Sequence, residues 1–199
     1  MVGAGRDADE GHVHCLQRAQ HGIAIGDRRG QDDAVDDELK YSLRSVAAFA
    51  DWVRHIYLVT DDQVPDWLDT SSDRVTVVSH KELFPDSSAL PTFNSHAIET
   101  VLHRIPGLSE HFLYMNDDVF IGRPIAPDLF FSSVGGPKFF RSTALFGAGP
   151  RTVDDAPVDA AGKNNRDLLA EEFGVAVTNK FKHTPHALRK SVIEQVEKR

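Results

Sequence analysis

A chain of 199 residues with 41% hydrophobic content is enough for one domain with a core. Its formal net charge of -8 argues against a general nucleic-acid or membrane-surface binder, so handling phosphates would take a local basic patch or a metal. Cys15 is the single cysteine, which removes a disulfide framework and a cysteine-built zinc site. No apolar run is long enough for a transmembrane segment, and the N-terminus has no apolar core like that of a signal peptide. The expectation is a soluble protein of a reducing compartment.

Residues 1–35 are rich in Gly, Asp, Arg and His and show no periodicity; a disordered or non-native N-terminal segment is expected. Ordered patterning begins at Asp36, and Asp36 and Asp37 are N-cap candidates. Leu39, Leu43, Val46 and Ala50 follow at helical spacing. Residues 55–60 (HIYLVT) form a short apolar run and predict a strand, with Asp61-Asp62-Gln63 as the loop after it. Residues 74–80 (RVTVVSH) predict a second strand. Asn94 or Ser95 caps a helix whose stripe is Ile98, Val101, Leu102 and Ile105, stopped by Pro106-Gly107. Residues 111–115 (HFLYM) predict a third strand, with Asn116-Asp117-Asp118 at its end. The order helix, strand, strand, helix, strand implies an α/β layer structure with a mostly parallel sheet. Residues 132–166 read as an irregular insertion with a weak strand around 138–141. Thr184 and Pro185 read as the cap and first turn of a last helix with Leu188, Val192 and Val196 as its stripe.

Four clusters could carry chemistry. Asp117 and Asp118 are consecutive carboxylates closing an apolar strand, where like charges repel and burial adds to the penalty. A divalent cation such as Mg2+ or Mn2+ removes that conflict, because it takes oxygen ligands from one or two carboxylates plus phosphates. Ligands of open α/β sheets bind beyond the carboxyl ends of strands. An Asn/Asp turn is the alternative. On a helix His96, Glu99 and His103 share one face and could touch a phosphate or hydroxyl, hold zinc, or simply face solvent. His183 and His186 fall where the last helix would begin, a place that favours anions, and either could move a proton near neutrality; a capped surface helix is the alternative. Arg44 could clamp a diphosphate, although charged helix positions are commonly just solvated. A P-loop, a G-x-S-x-G elbow and H-E-x-x-H are all missing from the sequence.

Together these motifs resemble the Stealth proteins. Residues 36–69 (DDELKYSLRSVAAFADWVRHIYLVTDDQVPDWLD) and 90–122 (LPTFNSHAIETVLHRIPGLSEHFLYMNDDVFIG) are similar to the second conserved region of that family, and 182–198 (KHTPHALRKSVIEQVEK) to the start of its third. Stealth proteins include bacterial capsular and exopolysaccharide phosphotransferases and the catalytic subunit of animal N-acetylglucosamine-1-phosphotransferase. The resemblance implies transfer of a hexose-1-phosphate from a UDP-sugar, UDP-N-acetylglucosamine among them, to a sugar hydroxyl of an oligosaccharide or polysaccharide. It also implies a nucleotide-sugar-binding core like that of GT-A glycosyltransferases. It assigns Asp117 and Asp118 to the metal and diphosphate, and His183 and His186 to the histidines of the third region. Arg44, Asn94, Glu99 and His103 fall in matching stretches. His96 and Asn116 join the expected substrate-binding set, Arg44 and Arg189 are candidate charge neutralisers, and His183 or His186 would take the acceptor hydroxyl proton or serve as a covalent nucleophile.

The family's first region is not found in residues 1–35, and the match stops inside the third. Residues 36–199 therefore read as a partial phosphotransferase domain, an incomplete copy of the core. Thr60-Asp61-Asp62-Gln63 stands where many relatives have Thr-Asn-Gly-Gln, so a glycine is lost in a turn near the donor. Two other readings stay open: a glycosyltransferase that releases UDP, and an inactive nucleotide-sugar-binding fragment. Cytoplasmic placement follows from the supply of nucleotide sugars, with a peripheral position at the inner membrane face as its variant.

Overall fold

The computed structural model describes residues 15–17, 35–92 and 94–198. The chain divides into two compact units, Met1–Lys138 with Pro185–Arg199, and Phe139–Thr184. In the first unit a five-stranded sheet has the order β3-β2-β1-β4-β7. Its strands are β1 (Cys15–Gln17), β2 (Ile56–Thr60), β3 (Val75–Ser79), β4 (His111–Asn116) and β7 (His186–Arg189). The first four run parallel, and β7 closes one edge antiparallel to β4. This is the mostly parallel α/β sheet that the element order predicts.

Strand β1 corrects one expectation. Residues 1–35 read as disordered or non-native, yet Cys15–Gln17 forms the middle strand, paired on both sides. Three residues are too few for a period to show. The rest of that segment up to residue 34 lies outside the described residues.

Helix α1 (Val35–Phe49) includes Asp36 and Asp37 rather than starting after them. It buries Leu39, Leu43, Val46 and, just past its end, Ala50. Those residues recur every three or four positions and so form one apolar stripe. The stripe completes a core with β2, buried along its whole length, and with Phe112, Leu113, Tyr114 and Met115 of β4. A strand of a parallel sheet covered on both faces reads as a continuous apolar run, which is why β2 and β4 were legible.

The helix expected from Asn94 to Ile105 is broken. Helix α2 spans only Ser95–Glu99, and a 3-10 turn at Leu102–Arg104 follows. Asn94 caps α2 as predicted, accepting from the His96 and Ala97 amides at 3.0 and 3.4 Å. Thr100 then returns its hydroxyl to the Ala97 carbonyl at 2.7 Å, offering the backbone a competing partner. The stripe survives the break, because Ile98, Val101, Leu102 and Ile105 are all buried.

The end of the chain differs more. Thr184 and Pro185 do not open a helix; they precede strand β7, whose His186 pairs with Tyr114 and whose Arg189 pairs with His111. Helix α4 starts later and spans Lys190–Glu197. A Thr-Pro pair suits a first turn locally, but docking against the open edge of β4 brings four residues into register with it and prevails.

The second unit holds strands β5 (Arg141–Leu145) and β6 (Asn179–Phe181), paired antiparallel, and helix α3 (Pro157–Phe173). Residues 132–166, read as irregular, thus contain a strand and the first half of a helix. The helix has a proline at its start and Gly174 at its end, whose φ of 65° suits the left-handed C-cap. Its apolar pattern is weak; Val158, Leu168 and Phe173 are exposed, and Lys163 is buried against Asp155 at 2.6 Å.

Candidate functional site

The sheet has a switch point. Gln17 at the end of β1 pairs with Val59 of β2 on one side and Asn116 of β4 on the other. The chain goes one way from β1 to reach β2 and β3, and lies on the opposite side when it reaches β4. In open α/β sheets such a reversal leaves a crevice beyond the strand ends, and ligands bind there. Asp117 and Asp118 lie at this edge.

Their turn is closed by the Val119 amide donating to the Asn116 carbonyl at 3.2 Å. Helix α1 then holds residues 119–121. The buried Ser42 hydroxyl donates to the Val119 carbonyl at 2.7 Å, and Ser45 Oγ accepts from the Ile121 amide at 2.9 Å. Two serines three positions apart share a helix face, so both reach the one segment that follows the turn. Asp117 is half-buried and Asp118 exposed. The pair is therefore fixed in place while one carboxylate keeps most of its water.

Further support comes from β7. The His186 ring stacks on Tyr114, with centroids 6.3 Å apart and planes 22° apart. Tyr114 donates its hydroxyl to Asn116 Oδ1 at 2.5 Å. Asn116, Asp117, Asp118 and His186 thus gather at one end of β4. Arg189 does not join them. It pairs with His111 at the other end of the strand, and its guanidinium lies 2.8 Å from Glu110. Glu110 also accepts from the Ser191 amide and hydroxyl at 3.1 and 2.6 Å, so the start of α4 already holds a carboxylate. Burial raises the Glu110 carboxyl, but hydrogen bonds from Ser191 and Arg189 outweigh it and leave the group below its usual value. The expected anion site of His183 and His186 at a helix start is corrected accordingly.

The remaining predicted residues separate. His96 is exposed and Glu99 half-buried, whereas His103 is buried and binds Glu197 at 2.9 Å. The common face of His96, Glu99 and His103 does not form, because the break after α2 turns His103 inward. Arg104 binds the same Glu197 at 2.7 Å. Arg44 is exposed, with its guanidinium 5.7 Å from the centre of the Tyr41 ring and about 200° around the helix from Ser42. His183 is an exposed residue of the second unit.

For a metal, the donor set at Asp117 and Asp118 is two adjacent carboxylates. Oxygen ligands of this kind fit Mg2+ or Mn2+, which complete their shells with water and phosphate. Among the described residues no group of three or more His, Cys, Asp or Glu is placed to hold a metal ion. A zinc site on His96, Glu99 and His103 therefore has no structural basis.

A second charged cluster lies at the same edge and was not anticipated. Lys81, on the 3-10 turn His80–Glu82, reaches Asp61 at 2.9 Å and Asp62 at 2.6 Å. Asp62 has a φ of 65° and is the one non-glycine residue with positive φ among the described residues. It stands where the resemblance placed a glycine. The loss noted in the sequence thus falls on a backbone conformation that glycine adopts freely.

An α/β protein with a switch point in a mostly parallel sheet of order β3-β2-β1-β4-β7 is the class that the fold defines. A family profile described as Stealth protein CR2, conserved region 2, matches residues 33–139. The chain belongs to the Stealth protein family. It is 57% identical over 161 residues to an exopolysaccharide phosphotransferase of Streptomyces coelicolor, covering 81% of this chain and 17% of that protein. It is 43% identical over 182 residues to exopolysaccharide phosphotransferase CpsY of Mycobacterium tuberculosis, covering 92% and 34%. The chain thus spans about a third or less of the length of these relatives. The fold is similar to that of 4-diphosphocytidyl-2C-methyl-D-erythritol synthase from Anaerococcus prevotii, with a TM-score of 0.51, 15% identity, and coverage of 96% of this chain and 77% of that one.

Proposed function

We propose that this chain supplies the donor-binding edge of a phosphotransferase of polysaccharide synthesis, moving hexose-1-phosphate from a UDP-sugar to a sugar hydroxyl. The observation that carries the reading is the Asp117–Asp118 pair at the switch point of the sheet, in a family whose relatives named above are exopolysaccharide phosphotransferases. The core would be used as in GT-A glycosyltransferases, with the donor lying across the end of β1 and the diphosphate toward β4.

Asp117 and Asp118 would hold Mg2+ or Mn2+, which would neutralise the diphosphate and ease departure of UMP. The acceptor oxygen attacks the phosphorus bearing the sugar, the phosphoanhydride bond breaks, and UMP leaves. A ring nitrogen of His186 takes the acceptor proton. Stacking on Tyr114 orients that ring, and Tyr114 in turn fixes Asn116 beside the carboxylates. No helix among the described residues is long and apolar enough to cross a membrane. A cytoplasmic place of action accords with the supply of UDP-sugars and is part of the proposal.

The test is to incubate the protein with UDP-N-acetylglucosamine, an oligosaccharide acceptor and Mg2+ and to identify the nucleotide released. UMP is expected. UDP would make it a glycosyltransferase, and donor binding without either product would make it a binding fragment. Asp117→Asn and Asp118→Asn are each expected to lower turnover about 100-fold or more. Unchanged turnover in both variants would remove the metal role.

A further inference from the structure

The turn that ends β2 carries Asp61 and Asp62. Asp62 takes a left-handed backbone conformation that side-chain-bearing residues rarely adopt. Lys81 holds it in place, with Nζ 2.6 Å from Asp62 and 2.9 Å from Asp61. Beside it the buried His80 ring places Nδ1 3.1 Å from the Thr60 carbonyl and Nε2 3.7 Å from Asp61. The end of β3 thus fastens the end of β2 through both Lys81 and His80.

Register puts this turn level with the carboxylate pair. Val59 and Asn116 both pair with Gln17, so Asp61 and Asp118 each lie two residues past the same rung. With β1 between them, β2 and β4 are about 10 Å apart. Four carboxylates, Asp61, Asp62, Asp117 and Asp118, therefore line an edge that a diphosphate must approach. Uncompensated, they would repel it.

We propose that Lys81 is a positioning residue for the donor: it fastens the Asp61–Asp62 turn in its left-handed form and cancels carboxylate charge on the rim beside the crevice. The proposal rests on the transferase reading for the identity of the donor. Lys81 acts through the two aspartates, because its ammonium is hydrogen-bonded to Asp62 and lies 2.9 Å from an oxygen of Asp61. Replacing Asp62 with glycine removes both reasons for needing it, the strained backbone and one of the charges.

That coupling is the test. Lys81→Met, Asp62→Gly, the double variant and Lys81→Arg are made in the 199-residue chain. Melting temperature and the KM for UDP-N-acetylglucosamine are measured for each. Lys81→Met is expected to raise the donor KM about tenfold with little change in kcat, and to melt several degrees lower. The double variant should lie closer to wild type than Lys81→Met on both measures, and Lys81→Arg should recover most of the loss. A double variant with a donor KM as poor as that of Lys81→Met would show direct contact between Lys81 and donor and overturn the proposal. An unaltered KM in Lys81→Met would overturn it as well. If the wild type neither binds nor turns over the UDP-sugar, the transferase reading fails by itself. The melting temperatures still decide the fastening of the turn, and additive losses would refute it.

Discussion

Asp117 and Asp118 differ in how much water they keep, and His186 differs from His183 in what surrounds it. His186 lies on a strand and stacks on Tyr114, so its ring has a fixed place near the carboxyl end of β4. His186→Asn is expected to lower kcat about 100-fold while leaving the donor KM within a few-fold, as for loss of a proton acceptor. Single-turnover and steady-state rates on the purified variant check this. The Lys81–Asp62 pair has a pH window of its own. Hydrogen bonds to Asp62 and Asp61 push Lys81 up to about 12, and the hydrogen bond with Lys81 draws Asp62 below its ordinary 3.8. A raised lysine stabilises fully below its unfolded value and loses this as pH rises through the folded one. A lowered carboxylate stabilises above its unfolded value and loses this as pH falls through the folded one. The Lys81–Asp62 pair therefore holds constant from about pH 4 to 10. Any inflection of turnover between about pH 5 and 9 should survive Lys81→Met.

At the scale of elements, β7 and α4 are attached through a few polar residues. Glu110 accepts from Arg189 and Ser191, and its own carbonyl accepts from the Lys190 amide at 2.8 Å. Glu110→Ala removes a cap and a pairing partner and should cost about 1–2 kcal/mol in urea unfolding. Because β7 carries His186, turnover should fall too, without any change at the carboxylates. At the other end of α4, the hydrogen bond with Arg104 and then that with His103 lower Glu197. This contribution is present above the ordinary value of 4.5 and lost as pH falls through the lowered one. Glu197→Gln should destabilise at neutral pH and flatten the acid limb of a melting-temperature profile. These contacts also explain what was hard to read in the sequence. A four-residue strand after Thr184-Pro185 has the local marks of a helix start, and only the free edge of β4 decides otherwise. Helix α3 has start and stop signals in Pro157 and Gly174, but its exposed apolar residues give no strong stripe. Ser42 meets Val119, 77 positions away, and no local pattern announces such a partner.

For the molecule as a whole, the core is the common support of edge and site. Phe112, Leu58 and Met115 are wholly buried at the centre of the first unit. Phe112→Ala should cost about 3–5 kcal/mol, measured by denaturant unfolding, because the cavity cannot fully collapse beneath a paired strand. The sequence by itself determined the apolar runs of β2 and β4, the stripe of α1 and the carboxylate pair that follows β4. Burial periodicity and residue chemistry are local properties, and they survive in a linear string. The tertiary structure alone decided that Cys15–Gln17 is the middle strand, that His186 rather than Arg189 lies at the carboxylate end, and that Lys81 compensates Asp61 and Asp62. Each of these depends on pairing between segments far apart in the chain, where hydrogen bonds and charges are satisfied only after the sheet has formed.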